Sequence, residues 1–530
     1  MKNFDLFGVM IDCSRNAVPN IEGLKRFLKI ISEMGYNCAM LYTEDTYEVK
    51  GEPYFGYKRG RYSMAELREL DDYAFSVGIE LIPCIQTLAH LNAAFRWQEY
   101  RKIQDCDDIL LLNEERTSEL LLHMFETTSG CFRSRRIHIG MDEAHRIGLG
   151  RYLDKHGFTD RYELLLRHLH DVCRMAKQFG YEPIMWEDMF FRLVHGEYLS
   201  DHVVDFPEEI KKKIPSDITM VYWDYYGNSA EYYENMIRSS KNLSNKVWFA
   251  GGAWIWGGFA PHNRLSIRRN QLAIPVCIRE GIRNAFFTMW GDNGGECPYF
   301  SALPALMHAA AVAEGMTECQ MKDTFRKIVG DDYDAFLALD LPNYVFGETT
   351  SVGSSNYSKN RLYNDPFLGI LDLNADKADS AVYPVYASRL HRYAEKSRDF
   401  GFLFETMATL CDALAIKFDL SYKTRQCYTE KDKAGLKILA EKDYTEFLKR
   451  LEQFYTAFQT QWYTVNKTYG FEIQDARLGG LMQRIKSCRM RILSYCNGAS
   501  AAIDELSEPV LPNDGGNVPF WKDMISANVV

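Results

Sequence analysis

The chain has 530 residues, which at ~100–200 residues per domain allows three domains, although a single (β/α) barrel can take about 250 by itself. With 46% hydrophobic and 25% charged residues it is neither disordered nor fibrous, and 16 prolines and 36 glycines exclude a collagen-like or linker-dominated chain. A net charge of −10 argues against a nucleic-acid partner, and the nearest candidate for a basic patch, Lys58 to Arg61, reads as a solvated loop.

Through about residue 315 one rhythm repeats. An apolar or β-branched run is followed by a polar loop and then by a stretch with helical spacing. Eight such runs are expected as strands: Leu6–Ile11, Cys38–Tyr42, Glu80–Ile85, Arg136–Met141, Pro183–Met189, Ile218–Tyr225, Val247–Ala253 and Ala285–Met289. Amphipathic helices are expected at Ile21–Met34, Met64–Val77 and Tyr162–Phe179, with Gly35, Gly78, Gly180 and Gly281 ending helices before the next strand. Strands alternating with helices imply parallel βαβ units, and eight units imply a closed (β/α)8 TIM barrel, an α/β fold. Beyond residue 316 the strand-like runs stop. Long helical periodicity at Tyr383–Ile416 and Ala434–Thr464 marks a mostly α-helical C-terminal domain. The expected division is therefore 1–316 for a catalytic barrel and 317–530 for a helical domain. That domain is expected to pack on the barrel and support its loops, or to form a homodimer interface. An irregular stretch, Phe346 to Leu373, is long for a structureless connector and is a candidate functional segment.

In a barrel, chemistry collects where the strands end. Here those ends read Asp12-Cys13-Ser14-Arg15, Tyr42-Thr43-Glu44-Asp45, Gln86-Thr87-Leu88-Ala89-His90, Met141-Asp142-Glu143, Trp186-Glu187-Asp188, Tyr222-Trp223-Asp224-Tyr225-Tyr226, Gly251-Gly252-Ala253-Trp254-Ile255-Trp256 and Trp290-Gly291-Asp292-Asn293. Carboxylates stand at six of the eight ends, and five of the nine tryptophans fall there. Carboxylates accept hydrogen bonds from hydroxyls and indole faces stack on the C–H faces of a pyranose, so this rim suits a sugar. The adjacent pair Asp142-Glu143 is the sharpest feature. A glycosidase needs a general acid for the leaving oxygen and a second group that stabilises positive charge at the anomeric carbon. Neighbouring carboxylates raise each other's pKa, which keeps one protonated near neutral pH.

His138-x-Gly140-x-Asp142-Glu143 resembles the signature of the family 20 glycoside hydrolases, the β-N-acetylhexosaminidases, and the resemblance runs through the barrel, about residues 4–315. It implies an exo-acting, retaining reaction on terminal β-linked N-acetylglucosamine or N-acetylgalactosamine. The acetamido oxygen of the substrate attacks the anomeric carbon and forms an oxazolinium ion, the substrate-assisted exception to the two-carboxylate scheme. By resemblance, Asp142 orients the acetamido group and Glu143 is the acid and then the base. Arg15 matches an arginine that reads sugar hydroxyls O3 and O4, and His90 matches a histidine after the third strand. Trp186 matches part of the wall around the acetamido methyl. Trp290-x-Asp292 resembles a Trp-x-Glu motif whose indole underlies the ring and whose carboxylate reads O4 and O6. Asp292 is shorter than the family's glutamate, and Glu296 is the alternative for that contact. Strand 7 departs from the family's Tyr-x-Asp, with Trp254 the aromatic there. Strand 6 offers Tyr225 for the acetamido carbonyl and Asp224 for a hydroxyl, with Tyr222 also in reach.

Two other readings are open at this level. One is a sugar-binding barrel without turnover. The other is a retaining glycosidase for sugars lacking an acetamido group, with Glu187, Asp188 or Asp224 as nucleophile. Neither His-x-His after strand 1 nor HExxH occurs, and no phosphate-binding glycine loop is evident, so neither metal nor cofactor is expected. Thirteen cysteines without CxxC pairs read as reduced thiols, the N-terminus lacks the apolar core of a signal peptide, and no run is apolar enough to span a membrane. The expected setting is the cytoplasm, with a small glycan as substrate and no membrane or nucleic-acid partner.

Overall fold

A computed structural model describes residues 2–374, 377–512 and 520–528. Eight parallel strands close into a barrel in sequence order: β1 (Leu6–Asp12), β2 (Cys38–Tyr42), β3 (Glu80–Cys84), β4 (Arg136–His138), β5 (Glu182–Trp186), β6 (Thr219–Trp223), β7 (Val247–Gly252) and β8 (Asn284–Met289). This is the expected (β/α)8 fold. The apolar runs face two ways because side chains alternate along a strand. Val9, Ile11, Ala39 and Leu41 point out under the helices. Met10, Met40 and Ile82, paired in register from β1 through β3, point inward. The inward set continues upward to Tyr42 and Trp186, which form the floor of the site. Gly8 is needed between β1 and β2, since a Cβ there would lie 2.2 Å from Cys38 Sγ.

The helices Ile21–Glu33, Met64–Ser76 and Arg161–Gln178 begin at side-chain caps from Asn20, Ser63 and Asp160. Three of the glycines expected to stop helices, Gly35, Gly78 and Gly180, follow these helices in the left-handed region, as does Gly281 after Asn263–Arg279. Among the described residues no helix is long and apolar enough to cross a membrane.

After the helix Leu303–Glu314 every regular element among the described residues is helical. The stretch Tyr383–Ile416, expected as one helical segment, is two helices, Tyr383–Lys396 and Gly401–Lys417. They are broken because Ser397 turns extended and its Oγ accepts the N–H of Phe400. The second long segment is Lys433–Ile438, a single π turn at Leu439–Asp443 and then Tyr444–Val465. The irregular piece contains its own helix, Tyr357–Tyr363. The helical region packs on the strand-end face of the barrel. Val465 O accepts from Asn20 N at 3.0 Å and Tyr299 Oη at 3.2 Å, and Phe259 of the loop after β7 meets Phe454 and Phe458 edge-on at 5.2 and 5.4 Å.

Candidate active site

The cleft at the strand ends is built around an abrupt end to β4. That strand stops at His138 rather than continuing to Met141, because Gly140, Met141 and Glu143 have φ of 71°, 72° and 51°. A side chain at position 140 would also collide with Gln86, its Cβ 1.9 Å from Oε1. This left-handed stretch cancels strand alternation and turns the consecutive Asp142 and Glu143 into one cleft. Left-handed backbone at non-glycine residues costs of order 1–3 kcal/mol each, and here several hydrogen bonds hold it. Gln86 Oε1 accepts from Met141 N at 3.3 Å, Gln86 Nε2 donates to Asp142 Oδ1 at 3.0 Å, and Asp188 Oδ2 accepts from Glu143 N at 3.1 Å. His138, fully buried below, accepts the Gly140 N–H on Nδ1 at 3.1 Å, and burial pushes its pKa down to about 3.

Asp142 is buried and His90 Nε2 lies 3.2 Å from its Oδ2. Burial alone would raise its carboxyl; the His90 charge and the hydrogen bonds from His90 and Gln86 outweigh it and hold the group below the usual aspartate range. The partner moves the other way. Burial lowers His90, the Asp142 carboxylate outweighs that, and the imidazole is pushed up to about 10. The two form an ion pair at neutral pH. Glu143 differs: its side chain is 44% exposed, with His90 Nε2 3.9 Å away. Behind the pair, burial and the Asp142 charge push Asp188 up to about 7, and burial pushes Glu187 up to about 8.

Opposite the pair, Arg15 bonds to Glu44 and lies 3.4 Å from Asp292 Oδ1. Asp12 fixes this corner by accepting the N–H of Ser14 at 2.7 Å and that of Gly291 at 2.8 Å. Trp290 donates from Nε1 to Tyr225 Oη at 2.9 Å and meets Tyr42 edge-on at 4.7 Å. Arg15, His90, Asp142, Glu143, Trp186, Tyr225, Trp290 and Asp292 thus share one cleft.

Other sequence candidates lie outside it. Asp224 is buried, and its oxygens accept from Tyr222 Oη at 2.7 Å and from the backbone N–H groups of Tyr226 and Gly227 at 2.6 and 2.9 Å; it shapes the loop carrying Tyr225. Trp254 stacks behind Trp256 at 4.0 Å, and Trp256 is the one that faces the cleft. Glu296 points into the helical domain, with Lys359 Nζ 2.7 Å and Arg477 Nη1 2.9 Å away. Glu187 is fully buried against Ser240 Oγ at 2.5 Å. Tyr42, Trp223, Tyr226 and Trp256, read from the sequence only as members of the strand-end rim and given no individual role, also line the cleft. Tyr42 was reachable, since it keeps the inward phase of Met40 two residues earlier.

Comparison with known proteins agrees with this architecture. Residues 4–243 match the model "Glycosyl hydrolase family 20, catalytic domain", and residues 334–524 match "Glycoside Hydrolase 20C C-terminal domain". The chain belongs to glycoside hydrolase family 20. The catalytic-domain match stops before β7, where the sequence already departs from the family pattern. Hexosaminidase D from Bos taurus is 22% identical over 296 residues, covering 54% of this chain and 78% of that protein. Hexosaminidase D from Homo sapiens is 23% identical over 226 residues, covering 40% of this chain and 43% of that one. The crystal structure of a family 20 exo β-N-acetylglucosaminidase from Vibrio harveyi superposes with a TM-score of 0.46 at 15% identity, over 64% of this chain and 58% of that one. The matches thus span less than two thirds of the human and Vibrio harveyi proteins.

Proposed function

We propose that the chain is an exo-acting, retaining β-N-acetylhexosaminidase that removes terminal, non-reducing β-linked N-acetylglucosamine or N-acetylgalactosamine from a small glycan. The acetamido oxygen of the substrate is the nucleophile. It attacks the anomeric carbon while Glu143 gives its proton to the departing glycosidic oxygen, the C–O bond breaks, and an oxazolinium ion forms. Asp142 accepts the hydrogen bond of the acetamido N–H and stabilises the positive charge. Glu143, now a carboxylate, takes a proton from water as the water adds to the anomeric carbon and the oxazoline ring opens. Two inversions give retention.

The observation that carries this reading is the contrast within one pair. Asp142 is held ionised by His90 and Gln86, whereas Glu143 is exposed to the cleft. A proton-shuttling residue must reach the leaving group and water, and a charge-stabilising one must stay ionised. A conventional nucleophile is poorly supplied. Glu187 is enclosed, Asp188 holds the Glu143 N–H and Arg192, and Asp224 is occupied by its own loop. Tyr225, held by the indole N–H of Trp290, is the residue we assign to the acetamido carbonyl. Trp290 is the platform beneath the ring, Trp186 walls the methyl, and Arg15 with Asp292 reads the hydroxyls at O3, O4 and O6.

We place the catalytic unit at 1–316 and the helical unit at 317–530. We further propose a reducing, cytoplasmic setting, supported by thirteen free thiols, most of them buried. The test is a series of nitrophenyl β-glycosides whose acetamido group carries zero to three fluorines. Fluorine withdraws electrons from the attacking oxygen, so kcat should fall steeply along the series. A flat series would mean that this oxygen does not attack.

A further inference from the structure

Beside the catalytic cleft, a second cavity of about 750 Å³ opens between the segments after β1, β2, β3 and β4 and the start of the helix Phe471–Cys496. That volume is within the ~300–1,000 Å³ of ligand sites. Among the described residues its cations are Lys58, Arg59, Arg96, Arg101 and Arg151, and its one carboxylate is that of Glu472. Arg59 is neutralised by Asp45 at 3.1 Å. Among the described residues, no carboxylate comes within 4.0 Å of the other four. Arg101 and Arg151 instead bind backbone: Arg101 Nε donates to Phe95 O at 3.3 Å, and Arg151 donates to Arg101 O. Lys58 lies over the Tyr57 ring at 5.5 Å.

Four unpaired cations around one cavity repel one another, in a chain whose net charge is −10. An anionic ligand removes that repulsion and receives bidentate hydrogen bonds from the guanidinium groups. The neutral lining is made for hydroxyls: Asn16, Asn92 and Gln104 present side-chain amides. Phe95, the one aromatic in the lining, is itself buried, so no exposed ring is offered to a nucleobase. The cavity is also continuous in sequence with the sugar site, since Asn16 follows Arg15 and Asn92 stands two residues after His90.

We propose that this cavity binds an acidic saccharide through its sulfate or carboxylate groups. The proposal goes beyond the hydrolase reading, because binding is measured without turnover. A disulfated uronyl-N-acetylgalactosamine disaccharide and its unsulfated counterpart are titrated calorimetrically into the full chain. The sulfated form should bind at least ~10-fold more tightly in dilute salt, and the difference should shrink as salt shortens the screening length. The double variant Lys58→Gln, Arg96→Gln should lose that preference while hydrolysing nitrophenyl β-N-acetylglucosaminide at the wild-type rate. A variant that also lowers kcat/KM for N-acetylglucosamine linked to a sulfated galactose would identify the ligand as an extension of the substrate. Unchanged kcat/KM with lost binding would identify a separate acidic glycan. Equal affinity for the two disaccharides, or binding that survives the double variant, would overturn the site. Inorganic sulfate binding as tightly as the disaccharide, or a single-stranded oligonucleotide binding more tightly, would overturn its assignment to a saccharide.

Discussion

Replacing Lys359 by Met should both destabilise the fold and loosen the sugar site. Lys359 and Glu296 are fully enclosed and 2.7 Å apart. Lys359 Nζ also donates to Asn293 O at 3.0 Å, Arg477 Nη1 reaches Asn293 O at 2.7 Å, and Gln474 Nε2 reaches Gly294 O at 3.2 Å. Three side chains of the helical domain therefore grip the loop that carries Asp292. Removing one partner of a buried ion pair costs about 3–5 kcal/mol, because the remaining charge stays out of water. Arg477 remains 2.9 Å from the other oxygen of Glu296 and offsets part of that, so we expect a loss near the lower end, about 3 kcal/mol. Urea unfolding followed by tryptophan fluorescence would measure it. Adding Glu296→Gln removes the orphaned charge yet keeps an acceptor for Arg477, and should restore at least about 1 kcal/mol through coupling. Because Asp292 sits one residue from the gripped carbonyl of Asn293, KM for nitrophenyl β-N-acetylglucosaminide should rise more than kcat falls. A Lys359→Met protein within about 0.5 kcal/mol of wild type with unchanged KM, or strict additivity in the cycle, would refute the reasoning.

Gln86→Leu removes the hydrogen bonds to Asp142, Tyr42 and the Met141 N–H; kcat should drop about 100-fold with a small change in KM, since misplacing a reacting group by about 1 Å has that effect. Steady-state kinetics on the purified, folded variant checks this. Gly140→Ala sets a Cβ against Gln86 at a φ of 71° and should cost about 1–3 kcal/mol, read as a lower thermal midpoint along with lower activity. The ion pair of His90 gives a pH signature. Its folded pKa is raised from 6.5 to about 10, so the stability it contributes is fully present below pH 6.5 and declines as pH climbs towards 10. The stability difference between wild type and His90→Gln should follow that course in urea titrations at successive pH values, and a difference that grows with pH would contradict the pairing.

The barrel was legible because buried parallel strands are short apolar runs and left-handed glycines punctuate the helices between them. The Asp142-Glu143 pair was legible as a motif, but its geometry was not. Nothing in Met141 announces a left-handed residue, so β4 was read to its rim when it ends at His138. Beyond a strand end the period of two no longer tells direction, which is why Asp224 and Trp254 were read into the cleft while Tyr226 and Trp256 occupy it. Asp224 is claimed by N–H groups two and three residues ahead, a turn that aspartate makes wherever the following backbone allows. Glu296 illustrates a different limit. Its partners, Lys359 and Arg477, are remote in sequence, and only the docked helical domain turns it away from the sugar. The basic cavity was hidden for the same reason. The sequence displays Lys58 to Arg61 as a run, but the charges gathered with it come from separate loops, and Arg61 itself caps the carbonyls of Pro53 and Phe55.

The central claim is that an acetamido group and Glu143 together perform the reaction. The most direct measurement compares nitrophenyl β-N-acetylglucosaminide with nitrophenyl β-glucoside, using wild type and Glu143→Gln. The account predicts turnover of the acetamido sugar alone, reduced about 100- to 10,000-fold in the variant, the range expected for loss of a general acid–base. Comparable turnover of both glycosides, or a Glu143→Gln enzyme as active as wild type, would contradict it.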